Sequence, residues 1–524
     1  MKSPIPKEDW QPVGIASLEE NALNAVRFEQ TQLVMAGPGA GKTELLAQRA
    51  CYLLQTGVCS SPRRILAISF KRDSAQNLKE RVEKRCGKEL SRRFDSMTFD
   101  AFAKNLLDRF KSGLPKGFQP NQNYKVRLSF QIYSDVAESI DRGFAAINNP
   151  NQLNILVTGS PLPVTLEELG KINAKEMWEA LLRGSKTSHL TFPMISRLAE
   201  LIINQNIALR GFLQKTYAFV FLDEFQDTTS TQYDLLKACF HQSNSVLTAV
   251  GDDRQRIMGW AGALPDAFLH FRHDFAATEE VLNMNYRSAP RLVEVQKILS
   301  NVLLGKKLEP QARTDWQPQD GIAEIWSFNN YNDETARLVA EVKQSIEVKN
   351  INPRDICVLV KQQLPVYANQ IISALNTAGI NARNEDRYQA LFTEEIVQYL
   401  ANFLFWILND KALEESRWVM NFYAKISNAV SDKEVNRAER EITSQMRVFR
   451  KIQKKFTTHD EWKDLIEKIM NCLNYKSLEA YNPDYRDEEY IEELIYNIFT
   501  TEFLEWLDSK KEPKAALDCI FGAW

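Results

Sequence analysis

The chain has little that would tie it to a metal, a disulfide framework or a membrane. Its 524 residues include five histidines and seven cysteines. The cysteines (51, 59, 86, 239, 357, 472 and 519) are odd in number and scattered, and no pair has zinc-ligand spacing. That pattern argues against a secreted disulfide scaffold and predicts reduced thiols in a cytoplasmic protein. No stretch reaches the roughly 20 apolar residues that span a bilayer. The N-terminal MKSPIPKEDWQPVG has no apolar core of the kind a signal peptide needs, so no membrane partner is expected. Charge of one sign is also scarce, with a formal net charge of -3. Any nucleic-acid surface must therefore be a local groove rather than the whole protein. Internal repeats and low-complexity tracts are absent, which excludes solenoids and disordered arrays.

What is present is an ordinary globular composition, 44% hydrophobic and 25% charged, in a chain longer than one core usually serves. Several domains are expected. The organising stretch is Leu33 to Thr43, LVMAGPGAGKT, followed by the helical pattern LLAQRACYLL. A short apolar run, a Gly-rich turn, Lys-Thr and a helix come in the order of a phosphate-binding P-loop. Ala36, Gly37, Pro38, Gly39, Ala40 and Gly41 form the loop, with Ala36 in the place of the usual first glycine. Glycines without Cβ atoms let the backbone turn tightly and aim N–H groups at phosphate oxygens. The helix behind offers its positive end to the same anion. Lys42 would reach the outer phosphates, and the Thr43 hydroxyl would hold Mg²⁺.

Strands and helices alternate around this loop. Residues 18–26 read as a helix, Ile65 to Phe70 as a strand, Ser74 to Arg85 as a helix, and SMTFDAFAKNLL as a strand end and another helix. Such alternation predicts a parallel sheet. From about 111 to 210 only helical runs and loops appear, including a helix expected at Thr165, so a helical insertion is expected. The sheet resumes with Phe219 to Leu222, which ends in Asp223-Glu224. A carboxylate there can hold the metal, and its neighbour can polarise a water. SVLTAVGDDRQRIMGWAGA and VLNMNYRSAPRLVEVQKIL each carry a further strand. After the linker-like TDWQPQDG, strands are expected at Ile322 to Phe328 and Ile356 to Lys361, with helices at 333–348 and 364–378. Beyond about 395 the pattern is helical. The basic run 434–455 and the acidic run 484–508 read as solvated helix faces.

The motifs AGPGAGKT, ILAISFKRDSAQNLKERV, TFDAF, VFLDEFQD, VGDDRQRIMGWAGA and NYRS occur in that order. This set resembles the UvrD/Rep/PcrA group of superfamily 1 DNA helicases from residue 18 to about 390. The resemblance implies an α/β P-loop NTPase of tandem RecA-like parallel-sheet domains with helical insertions. Residues 1–110 and 210–284 would form the first motor domain and 111–209 its insertion. Residues 285–396 would form part of the second motor domain, and 397–524 part of a second insertion. It implies ATP and Mg²⁺ as cofactors. Lys42 and Thr43 would bind phosphate and metal, Asp223 the metal, and Glu224 would activate water. Gln226 and Gln255 resemble γ-phosphate and water-sensing glutamines, Arg287 an arginine finger, and Tyr286 an adenine-stacking aromatic. Phe70 and Trp260 resemble residues that stack on single-stranded bases, and Thr98 a backbone-contacting residue. The implied activity is ATP-dependent unwinding or translocation on single-stranded or tailed duplex DNA, 3′-to-5′, in repair, recombination or defence.

Departures from the family pattern accompany the likeness. Ala22 stands where the family reads adenine with a glutamine, and Glu44 where arginine is usual. Asp100 replaces a histidine, Met258 an aromatic and Ala261 an arginine. Neither a TxHxxKG nor a YVAxTRA segment occurs. The second motor domain is therefore expected to be incomplete, with hydrolysis impaired. The alternative is a DNA-binding ATPase subunit of a nuclease complex that does not unwind by itself. No nuclease-like metal cluster is visible in the sequence.

Overall fold

The computed structural model describes residues 4–121, 124–127, 131–140, 150–163, 168–169, 172–184, 187–256, 259, 262–304, 310–360, 364–385, 394–409, 411–427, 429, 431–473, 477–478, 491, 495, 499–510 and 512–521. The chain divides into two units, Met1–Glu324 and Ile325–Trp524.

In the first unit, helix α1 (Glu20–Arg27) precedes strand β1 (Gln32–Ala36), and α2 (Lys42–Gln55) follows it. Then come β2 (Arg64–Ser69), α3 (Arg72–Cys86), β3 (Phe94–Thr98) and α4 (Phe99–Phe110). Helix α5 (Phe192–Gln205) leads toward β4 (Tyr217–Leu222), α6 (Ser230–Phe240), β5 (Val246–Gly251) and β6 (Thr278–Leu282). The six strands form one sheet in the order β6-β1-β5-β4-β2-β3. Every pairing in it is parallel, with Val34 opposite both Val250 and Glu280, and Leu66 opposite both Asp95 and Val220.

A parallel sheet buries both faces, and the strand residues alternate between two cores. Val34, Ala36, Ile65, Ala67, Phe219, Phe221 and Val250 face the core that holds α1, α2 and Trp10. Leu33, Leu66, Ile68, Val220, Leu222, Leu247 and Ala249 face the other, with α4, α5 and α6. The segment between α4 and β4 shares that second core through Tyr133, Leu153, Trp178 and Leu198. Helix α5 is its centre and is buried from Met194 to Ile203. Its one guanidinium, Arg197, is fully buried and held by Glu200 at 2.6 Å and Asp234 at 2.8 Å. The helix expected at Thr165 is not borne out at its C-terminal end. Glu168–Leu169 pairs antiparallel with Ile172–Asn173, and residues 164–167 lie outside the described residues.

Among the described residues of the second unit, every regular element is a helix. Helices α7 (Tyr331–Glu347) and α8 (Leu364–Thr377) share a small core of Val342, Ile371 and Leu375. A larger core gathers helices Glu395–Leu408, Leu413–Ile426, Asp432–Ile452 and His459–Met470. Capping boxes start two of these, Ser431 with Glu434 and Thr458 with Glu461. The basic helix is amphipathic as expected, with Ala438, Ile442, Met446 and Phe449 inward. The strands expected at 322–328 and 356–361 are a correction. Residues 322–328 and 356–360 form no strand, and Lys361 lies outside the described residues. Apolar runs become strands only where a neighbour completes the ladder, and Ile325 and Leu359 stand 98% and 88% exposed. Among the described residues, no helix is long and apolar enough to cross a membrane.

Candidate nucleotide and nucleic-acid site

The site lies where open parallel sheets place ligands, beyond the C-terminal ends of the strands. Strand β1 ends at the fully buried Ala36, and the chain turns through Gly37, Pro38, Gly39, Ala40 and Gly41 into α2. Gly39 and Gly41 have φ of 75° and 80°, a left-handed region that side chains with a Cβ resist. Gly41 is the N-cap of α2, so no capping side chain competes for the first N–H groups. Space forbids a side chain at Gly39 as well. An added Cβ would lie 2.4 Å from Asn285 Oδ1 and 2.8 Å from Arg287 Cβ. At Gly37 it would lie 3.0 Å from an Arg254 guanidinium nitrogen.

Strand β4 delivers the acids. Asp223 is buried, and its Oδ1 accepts the Glu224 N–H at 3.0 Å. Burial pushes its pKa up to about 6, Glu224 adds to the shift, and Lys42 opposes it. Glu224 is held at φ 48°, ψ 47°, a strained conformation that aims its side chain back at the loop. Its Oε2 accepts from Lys42 Nζ at 2.9 Å and from Gln226 Nε2 at 2.8 Å. Gln226 is also buried, and its Oε1 accepts the Asp252 N–H at 3.1 Å. Asp252, just past β5, binds Gln255 Nε2 at 2.9 Å and Arg254 Nε at 2.5 Å. The ends of β1, β4 and β5 are thus joined by one polar chain from Lys42 to Gln255.

The segment after β6 closes over the loop. Tyr286 N–H donates to Gly39 O at 2.8 Å. Asn285 is buried, and its Oδ1 accepts the Arg287 and Ser288 N–H groups at 2.9 and 2.8 Å, which fixes the turn. The Arg287 side chain is exposed and makes no ion pair among the described residues. The Tyr286 hydroxyl accepts the Glu19 N–H at 3.3 Å, while Glu19 Oε2 accepts the Met284 and Asn283 N–H groups. A cleft of about 820 Å³ beside this cluster is lined by Met35, Gln226, Asp252, Arg254 and Asn283 among others.

The structure therefore gathers Lys42, Glu224, Gln226, Gln255 and the loop, with Asp223, Thr43, Tyr286 and Arg287 around them. It suits a nucleotide with Mg²⁺. The loop is bare of Cβ atoms at its left-handed positions, the lysine is paired to a carboxylate that a phosphate can replace, and the Thr43 hydroxyl and Asp223 carboxylate are hard oxygen donors. Thr98 ends β3, and Phe70 directly follows the neighbouring strand β2. Phe70 lines a separate small cavity. Thr98 is buried and caps α4, its Oγ1 accepting the Ala101 N–H at 3.1 Å. Trp260, Met258 and Ala261 lie outside the described residues. Ala22 is buried in α1, and Glu44 is taken up by Arg81 at 2.9 Å and Arg85 at 3.1 Å. Sequence reasoning missed Arg254, Asn285 and Glu19. An Asn two residues before Arg287 in a turn was a usable signal for the second, while the other two depend on tertiary neighbours.

Fold and loop together define a P-loop nucleotide-binding protein. Comparison with known proteins agrees. The UvrD/REP helicase N-terminal domain matches residues 18–276, and the UvrD-like helicase C-terminal domain matches 281–505. The chain belongs to the UvrD-like helicase family. It is 27% identical over 284 residues to the ATP-dependent DNA helicase Rep of Escherichia coli, covering 51% of this chain and 40% of that protein. It is 25% identical over 358 residues to the ATP-dependent DNA helicase PcrA of Leuconostoc citreum, covering 65% and 47%. It is 21% identical over 515 residues to a Rep helicase of Buchnera aphidicola, covering 93% and 76%. The chain spans about half the length of most relatives it matches. The C-terminal match runs to residue 505, so it lends no support to an incomplete second motor domain.

Proposed function

We propose that this chain is an ATP-dependent motor on single-stranded DNA, a helicase or translocase that moves 3′-to-5′ and serves repair, recombination or defence. The observation that carries the reading is the shared acceptor, Glu224 Oε2, held by both Lys42 and Gln226. A γ-phosphate arriving at the loop takes Lys42 as its partner. Glu224 is then left with a free oxygen beside the phosphate to polarise a water. Gln226 and Gln255, linked through Asp252, report that change toward β5. The loop N–H groups from Gly37 to Gly41 cradle the phosphates, Tyr286 stacks on the base, and Arg287 supplies charge to the transition state. Thr43 and Asp223 would hold Mg²⁺, which would supply charge neutralisation at the phosphates. Phe70, Thr98 and Trp260 are the residues assigned to DNA contact, where stacking is sequence-tolerant. Residues 1–110 and 210–284 act as the first motor domain with 111–209 inserted, and 285–396 as the second with 397–524 inserted.

The second reading is a DNA-binding ATPase subunit of a nuclease complex that does not unwind by itself. Strand displacement on a 3′-tailed duplex separates the two. Under the second reading the chain alone binds the tail and hydrolyses ATP slowly, without displacing the strand, and a partner restores unwinding. Robust displacement by the chain alone removes that reading.

A further inference from the structure

Arg254 has no role in the hydrolytic reading above, yet its guanidinium lies on the phosphate-binding loop. The residue belongs to the short turn that follows β5. One of its Nη atoms stands 3.0 Å from where a Cβ on Gly37 would be, so the guanidinium fills the space that a side chain there would take. Only a residue without a Cβ lets a cation come this close to the loop entrance.

The side chain is fixed in that place. Asp252 Oδ1 accepts from Arg254 Nε at 2.5 Å and from the Arg254 N–H at 3.2 Å. Asp252 is buried and is itself tied down, its N–H by Gln226 Oε1 and its Oδ2 by Gln255 Nε2. An arginine whose whole purpose is an ion pair commonly gives a carboxylate two parallel N–H bonds. Here Nε alone is engaged, because the second carboxylate oxygen serves Gln255. Among the described residues, neither Nη group has a hydrogen-bond acceptor, although the side chain is only 14% exposed. These donors line the cleft of about 820 Å³ beside the loop. A largely desolvated fork of N–H groups carrying positive charge matches the oxygens of a phosphate.

We infer that Arg254 grips the terminal phosphate of the bound nucleoside triphosphate and acts as a catalytic arginine supplied from the same sheet as the loop. Its position selects that phosphate. Strand β5 lies between β1 and β4, so Arg254 reaches the loop from the side that holds Glu224, Gln226 and Gln255. In hydrolysis the oxygen of a water bonds to the γ-phosphorus and the water's proton passes to Glu224. The bond from phosphorus to the bridging oxygen breaks, and its electron pair leaves on the nucleoside diphosphate. Charge spreads over the outer phosphate oxygens during this exchange, and a fixed guanidinium needs no rearrangement to meet it. The inference rests on the ATPase reading above and adds a residue to that same site.

The test combines nucleotide binding and single-turnover ATP hydrolysis by the full chain with Mg²⁺. The binding probes are ADP and the non-hydrolysable imido analogue of ATP. Arg254→Ala is expected to weaken the analogue about ten- to a hundredfold while ADP affinity is kept, because only the triphosphate carries the contacted group. Hydrolysis is expected to fall about a thousandfold or more. Guanidinium ion at low concentration should restore part of that rate, and Arg254→Lys, which keeps charge without the fork, should fall between the two. Equal losses of ADP and analogue binding overturn the inference, since they mark an arginine that only holds Asp252 in place. An unchanged preference for the triphosphate with an unchanged rate overturns it as well and leaves the ATPase reading standing. Failure of the unaltered chain to bind either nucleotide overturns both.

Discussion

At the scale of single residues, the account turns on Lys42 and Glu224, which hold each other at 2.9 Å. Lys42→Ala removes the point charge that meets the phosphates and is expected to reduce ATP turnover to background. Undiminished turnover in that variant removes the P-loop assignment. Glu224→Gln keeps size and hydrogen bonding but loses the group that polarises water. It is expected to bind nucleotide with near-normal affinity and to hydrolyse it about a hundredfold or more slowly. Equilibrium binding and single-turnover hydrolysis, measured on one preparation, separate the two steps. Gly251→Ala tests the polar chain sterically, because the new Cβ would meet Gln226 Oε1 at 2.4 Å and Phe268 at 2.9 Å. Gln226 is forced off Glu224, so hydrolysis falls more than nucleotide binding. Equal losses in both would mean that Gln226 does not sense the reacting phosphate. Residues with a local signature, such as Lys42 or Asp223-Glu224, were legible in the sequence. Arg254 against Gly37 was not, because that contact joins two strand ends some two hundred residues apart in the chain.

At the scale of elements, the central strands of the first unit were legible. β1, β2, β4 and β5 are short apolar runs flanked by helical patterns, and a parallel sheet buries both faces of such runs, while the edge strands β3 (FDSMT) and β6 (TEEVL) are half polar. The same rule over-predicted in the second unit, where 322–328 and 356–360 have the composition of strands and no ladder. Composition reports how well a run would pack, while strand formation depends on a neighbour that a single stretch cannot reveal. The placement of α1 rests on a residue whose role was not legible either. Arg49 is fully buried in α2 and donates to the carbonyls of Ala25, Val26 and Phe28 and to Thr248 Oγ1. It thereby ties the C-terminal end of α1 to β5 beneath the loop. Arg49→Met leaves those acceptors without their donor and is expected to destabilise the fold by about 2–4 kcal/mol. Chemical denaturation checks this, and an unchanged midpoint would show that water satisfies the carbonyls instead.

At the scale of the molecule, the account joins two surfaces of one sheet edge. The nucleotide cluster sits at the ends of β1, β4 and β5, and the Phe70 cavity at the end of β2. Both are reached from the strand β4 turn, since Asp223, Glu224 and Gln226 belong to the first and Asp227 lines the second. Under this reading a bound strand biases the proposed hydrolytic residues through the five consecutive positions 223–227. DNA affinity should fall steeply with salt, because phosphate contacts dominate it. The most direct test is the ATP hydrolysis rate of the purified chain with and without single-stranded DNA. The account predicts slow turnover alone, stimulation by the strand, loss of that stimulation as salt rises, and no turnover in Lys42→Ala. Turnover indifferent to single-stranded DNA at every salt concentration would contradict it.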